Sequence, residues 1–325
     1  MKLLKRMLLA VSIALPALVF PVSGMAQDAA YPSRTIRIVA PFGAGGGGDT
    51  SLRLLSAQLA RAVGQPVVVD NKPGANGVIG AMEVQRSAPD GYTLFYGSTT
   101  TLAANASLMR QLPYNATRDF VPITQVGVFP FLLVVHASVP AASLAQLIAH
   151  AKASARPLTF ASASHAGLVA GSSFARLSGV PLQHIPYKTA AAALTDLVGG
   201  QVDMMFVDVA AGLPMVKAGK IRSLGVTTAA RSALLPDLPA ISEVLPGYEV
   251  VAWTALAAPA GTRPEVVRRL HAELVKILAQ PDIRGDFERV GLEVRTSTPE
   301  QTAAFLASET EKWAQYVKAA GIQPE

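Results

Sequence analysis

The chain has 325 residues, enough for two domains that each bury a core. It has no cysteine, which excludes disulfides, thiolate metal sites, cysteine nucleophiles and a lipidated-cysteine anchor. The formal charge is only +6 and its Lys and Arg residues are scattered among few aromatics, which suits anionic small molecules and excludes a nucleic-acid footprint.

Lys2, Lys5 and Arg6 precede an apolar run from Met7 to Phe20. Small residues follow, with Gly24 and Ala26 at the −3 and −1 positions of an expected cut before Gln27. This pattern predicts a signal peptide over 1–26. The apolar run is short for a membrane span and Pro16 interrupts it. An exported chain does not meet soluble NAD or ATP, so no nucleotide cofactor is expected.

Ile36 to Ala40 reads as a buried strand, and Pro41 to Gly48 as a loop in which five of eight residues are glycine. Asp49 is placed as N-cap of a helix from Thr50 to Val63, with Leu52, Leu55, Leu59 and Val63 at helical spacing. Glycines before a helix N-terminus leave N–H groups free beside a positive dipole end, a site for an anion. Gly43 to Gly48 also satisfies G-x-G-x-x-G, with Asp70 about twenty residues on, as in dinucleotide sites. So glycine-rich a run matches that pattern easily, however, and Asp49 would confront a pyrophosphate with a carboxylate.

Pro66 to Asp70 is a second strand, and a helix from about Val78 to Ser87 leads to a third strand at Tyr92 to Tyr96. Alternating strands and helices predict a parallel, doubly wound α/β sheet, with ligands outside the strands' carboxyl ends. Ser98, Thr99 and Thr100 fall at such an end and can donate to a carboxylate, or cap the next helix. Phe120 to Ile123 and Gly127 to Val135 read as separate strands, and Ser143 caps a helix from Leu144 to Ala153. Leu158 to Ala161 is a strand that ends at Ser162, Ala163, Ser164 and His165, before a helix from about Leu168 to Ser178. A short strand ends at Tyr187 and Lys188, and another, Val202 to Val207, ends at Asp208. Asp208 could select an ammonium-bearing ligand or cap the following turn; His165 could touch ligand or sit at a helix start.

After a strand at Val250 to Ala258, Thr262 to Glu265 reads as a capping box for a long helix, and Thr298 to Gln301 as another for the last. Phe305, Trp313, Tyr316 and Val317 give that last helix an apolar face. These helices have no sheet of their own and pack most simply on the first domain. The chain then crosses between domains twice, which predicts one lobe from 27–127 and 252–325 and a second from 128–251, hinged at the crossovers.

Many short motifs now stand in order: Pro41-Phe42 with Gly45, Gly46 and Asp49; the run from Gly64 to Ala75; Asp90-Gly91-Tyr92-Thr93-Leu94; Pro186-Tyr187-Lys188; Gly200-Gln201-Val202-Asp203; Pro246-Gly247-Tyr248; and Ala258 to Thr262. With them the whole mature chain resembles the Bug family of extracytoplasmic solute receptors of tripartite tricarboxylate transporters. The resemblance implies a periplasmic, two-lobed type II binding-protein fold, monomeric, with no cofactor and no metal. It implies a small carboxylate as ligand (a di- or tricarboxylate, an acidic amino acid or an aromatic acid) and membrane subunits of the transporter as partners. Carried residue by residue, it places Phe42, Gly43, Ala44, Gly45, Gly46, Ser98, Thr99 and Thr100 in the first lobe's share of the cleft. Ser162, Ala163, Ser164, His165, Tyr187 and Asp208 form the second lobe's share. The stretch from Ser162 to Val169 is shorter than is usual there, and Thr189-Ala190 replaces the usual glycine.

The alternatives are an exported hydrolase, a secreted dinucleotide enzyme and a ligand sensor for a two-component system. No G-x-S-x-G elbow or HExxH motif is present, and His136, His150, His184 and His271 read as standing alone. The expected activity is therefore binding, not catalysis.

Overall fold

A computed structural model describes residues 31–324; the signal peptide predicted over 1–26 lies outside them. From Pro32 onward the described residues belong to one unit. Its first part runs β1 (Ile36–Ala40), α1 (Gly47–Val63), β2 (Val67–Asn71), α2 (Val78–Gln85) and β3 (Thr93–Ser98). A π-helical turn, Thr100–Ala104, and α3 (Asn105–Leu108) lead to β4 (Phe120–Phe129). The middle runs β5 (Phe131–His136), α4 (Leu144–Ala153), β6 (Leu158–Ser162), α5 (His165–Ser178), β7 (Leu182–Pro186), α6 (Ala190–Val198), β8 (Met204–Asp208), α7 (Val209–Lys217) and β9 (Ile221–Val226). The last part is β10 (Ala252–Pro259), α8 (Pro264–Leu278), α9 (Pro281–Arg289), β11 (Glu293–Val294) and α10 (Pro299–Ala319).

The strands form two sheets, ordered β11-β4-β10-β3-β1-β2 and β7-β6-β8-β5-β9. In β1, Ile36, Ile38, Val39 and Ala40 are fully buried, as expected of a parallel strand covered on both faces. It pairs in parallel with β2 and β3, while β10 runs antiparallel between β3 and β4. In the second sheet β6 lies parallel to β7 and β8, and β5 lies antiparallel to β8 and β9. Mixed α/β architecture on two sheets is the fold class that the sequence predicted.

The chain passes from the first sheet to the second at Pro130, the single residue between β4 and β5, and returns between β9 and β10. Pro130 has no N–H and cannot extend either ladder. Thr227, fully buried, ties the two passages together. Its hydroxyl accepts from Phe131 N–H at 2.9 Å, its own N–H donates to the Phe131 carbonyl at 3.0 Å, and its carbonyl accepts from Val250 N–H at 3.0 Å.

Some local expectations change. β4 is one continuous strand where the sequence predicted a break. The capping box expected at Thr262 does not form: Arg263 is the N-cap and its side chain does not cap the helix, while the Thr262 hydroxyl donates to the Pro259 carbonyl at 2.8 Å. The box at Thr298 and Gln301 does form. α10 buries Leu306, Trp313 and Val317 and packs on β4 and on the Thr100 turn.

Thr227→Val keeps the side chain's shape but leaves the Phe131 N–H without its acceptor. Urea unfolding is expected to show a loss of about 1–3 kcal/mol, largely restored by Thr227→Ser.

Candidate functional site

The carboxyl ends of β1, β3 and β6 open on one cavity of about 620 Å³. Of the residues expected from the sequence, it is lined by Phe42, Ser98, Thr99, Thr100, Ser162, Ala163, Ser164, His165 and Tyr187. Gly43, Ala44, Gly45 and Gly46 do not line it; the glycine loop reaches it at Gly48 instead. Asp208 does not line it either, but faces a smaller cavity of about 240 Å³ whose wall shares Gly48, Phe129 and Ala252 with the larger one.

The glycine loop differs from its sequence reading for an electrostatic reason. α1 begins at Gly47 with Gly46 as N-cap, so Asp49 lies inside the first turn and is no N-cap. Its buried carboxylate turns back on the loop, accepting from Gly45 N–H at 2.9 Å and from Asn71 Nδ2 and Arg53 Nε, each at 2.9 Å. Gly45 sits at φ +91°, where glycine is favoured. The anion expected in this loop is thus supplied by the chain itself. Burial works to raise the Asp49 carboxyl, and the bonds from Arg53, Gly45 and Asn71 outweigh it and hold the group below its usual range.

Ser98 and Thr99 are largely engaged. Ser98 N–H donates to Thr101 Oγ1 at 3.0 Å, and the two hydroxyls lie 3.4 Å apart across the turn. The buried Thr99 hydroxyl accepts from Trp253 N–H at 2.7 Å and donates back to the Trp253 carbonyl at 3.3 Å. Trp253, which lines the cavity, is held further by its indole N–H, which donates to the buried Glu309 at 2.6 Å. Phe42, Phe129 and Trp313 add apolar wall. Among the described residues no hydrogen bond within the protein engages the side chains of Thr100 and His165, so these lining groups remain for a ligand.

On the second sheet, α5 begins at His165, three residues earlier than predicted, because Ser164 serves as N-cap and accepts from Gly167 N–H at 3.2 Å. The first-turn N–H groups of α5 have no partner inside the helix and lie beside the cavity, as do those of α1 at Gly48. Tyr187 N–H donates to the Ser162 carbonyl at 2.8 Å, and its hydroxyl donates to Asp196 at 2.8 Å. Burial, then Asp196, pushes that phenol's pKa up. Asp208 caps α7, accepting from Ala211 N–H at 3.0 Å.

His184 does not stand alone, as the sequence implied. Its Nε2 lies 2.7 Å from Ser162 Oγ, and both residues line the cavity. The parallel register sets Ser162 opposite Pro186, which makes His184 its diagonal neighbour on the same face. Burial pushes the His184 imidazole pKa down. Only the register reveals this pair; strand positions two apart in each run are the signal that could have found it.

The cavity is thus ringed by helix N-termini and hydroxyls from both sheets. Residues 52–322 match the family described as "Tripartite tricarboxylate transporter family receptor". The chain belongs to that family. BugT of Bordetella pertussis is 35% identical to this receptor over 298 residues, covering 90% of this chain and 91% of that one. The solved structure of R. palustris Rpa4515 with adipate is 34% identical, with a TM-score of 0.78, and covers 91% of this chain and 100% of that one. MatC from Rhodopseudomonas palustris with bound malate is 32% identical, with a TM-score of 0.72, over 88% of this chain and 100% of that one. These relatives share a two-lobed solute-binding fold, and the family consists of receptors, not enzymes. The Ser162–His184 contact is therefore no sign of hydrolysis. No helix among the described residues is long and apolar enough to cross a membrane.

Asp49→Asn would weaken the closure of the glycine loop, at a cost of about 1–3 kcal/mol at pH 7. A carboxyl held below its unfolded pKa stabilises above that value, and the gain is lost as pH falls through the folded one. The gap between wild type and variant in thermal melts should therefore be full at pH 7 and shrink below about pH 4.

Proposed function

We propose that this receptor captures a small carboxylate in the 620 Å³ cavity and passes it to the membrane subunits of a tripartite tricarboxylate transporter. The observation that carries the reading is the lining: two helix N-termini, the Thr100 hydroxyl and His165 around aromatic walls, with no Lys or Arg among the lining residues. Neutral donors aimed by the backbone can hold an anion without burying a cation whose desolvation would have to be offset. The relatives with adipate and with malate support a dicarboxylate as the first ligand to test. An amino acid is less well served, because Asp208 caps α7 and lies outside the main cavity. Action in the periplasm after removal of the signal peptide, as a monomer, completes the proposal.

A thermal-shift screen of the purified protein against di- and tricarboxylates, acidic amino acids and aromatic acids tests it, with calorimetry on each hit. A ligand at a hundred times its dissociation constant should add about 2.7 kcal/mol of stability. Thr100→Val should weaken the best ligand by about tenfold or more, the worth of one hydrogen bond to a charged group. If no carboxylate binds protein shown by mass spectrometry to carry no co-purified ligand, the reading fails.

A further inference from the structure

We propose that Ser162 and His184 form a polarity switch in the cleft: when a carboxylate occupies it, His184 takes a proton from solvent to become imidazolium and donates through Nε2 to Ser162 Oγ, and the freed Ser162 O–H turns to donate to the ligand. The inference rests on the carboxylate reading above.

The geometry behind it is local. At 2.7 Å, one of Ser162 Oγ and His184 Nε2 must donate to the other. A neutral imidazole carries its proton on Nδ1 or on Nε2. With the proton on Nδ1, Ser162 donates to His184 and offers only lone pairs to the cavity, which repel an anion. With a proton on Nε2, His184 is the donor, and Ser162 has its O–H free for an oxygen acceptor. Imidazolium carries both protons and holds the pair in this second arrangement. Ser162 is buried and His184 only half-buried, so water reaches the imidazole more readily than the hydroxyl it polarises.

The surroundings leave the switch to the ligand. β6, paired beside β7, carries no titratable residue, and the Phe160 ring lies 5.0 Å from the His184 ring. α5, which packs on β7, brings His165 at its first turn and Arg176 in its last. Tyr187 follows β7 at the cavity wall, and its proton is committed to Asp196. No carboxylate of the protein contacts the imidazole among the described residues; burial is the cause of its lowered pKa. A bound carboxylate reverses that balance and raises the pKa. Binding then takes a proton from solvent. Affinity is highest below the pKa of the free protein and falls as pH rises through the pKa of the complex.

The test is calorimetry of adipate and malate binding between pH 5.5 and 8, in buffers of different ionisation enthalpy, with ¹⁵N NMR of His184. Each unit by which ligand raises the imidazole pKa gives tenfold in affinity between the two limits. A gain of about tenfold on acidification, proton uptake and a shift of His184 toward imidazolium support the switch. His184→Gln, whose amide donates at every pH, should flatten the profile while retaining binding. Ser162→Ala should weaken binding and abolish the pH dependence, because the hydroxyl transmits it. Thermal melts of both variants check that they fold. Binding with no pH dependence, or a dependence unchanged in Ser162→Ala, overturns the switch and leaves the receptor reading standing. If neither acid binds, the best carboxylate of the thermal-shift screen takes their place, and no binding by any carboxylate of that panel overturns both.

Discussion

The cleft depends on a reciprocal bond between two parts of the chain that are far apart in sequence. Thr99 accepts from the N–H of Trp253 and donates to its carbonyl, so one hydroxyl fastens the exit of β3 to the start of β10. β10 is the strand that returns from the second sheet, and its place between β3 and β4 closes the first. The indole of Trp253 is then fixed from the other side by Glu309 on α10. Burial opposes the charge of Lys312, but Glu309 and Glu249 hold its pKa above the usual value, so that Lys312 neutralises the buried acid. The aromatic wall of the cavity is rigid because a hydroxyl, an indole and an ion pair form one connected network.

A second constraint governs the loop after β1, on the same sheet. A glycine-rich loop before a helix invites an anion, and here Asp49 answers from within the same helix. Without it, Gly45 at positive φ and the open loop would have little to hold them. The consequence reaches the cavity: the loop lines it one turn along, at Gly48, beside the end of β3 and the start of α5. An internal carboxylate so placed would repel a phosphate seated in the loop.

The legible parts of the sequence were those with local causes. β1, β3 and β6 announce themselves by apolar runs, α4 by Ser143, and α10 by its capping box, because each needs only neighbours within a turn or two. The residues of the strand exits could be named for the same reason. What stayed hidden depends on register and on competition. Asp49 is as good an N-cap as any aspartate, and only the positions of Arg53 and Asn71 show why it prefers the loop. Ser162 and His184 are far apart in sequence and meet because β6 and β7 align in parallel. Thr262 resembles a cap and instead bonds a carbonyl behind it.

The two sheets that wall the cavity are joined by two passages of chain. Lobes joined by Pro130 and by the passage around Thr227 can change their relation at few backbone positions, since Thr227 ties those passages into one unit. A ligand favours a closed arrangement only by contacts that the open one lacks. Thr100, in the turn after β3, and the start of α5 belong to different sheets' shares of the cavity wall, so a ligand that touched both would meet that condition. A cationic clamp on one sheet would bind the open and closed forms almost equally, and so would shift neither. Donors divided between the two sheets would make any such closure depend on the ligand.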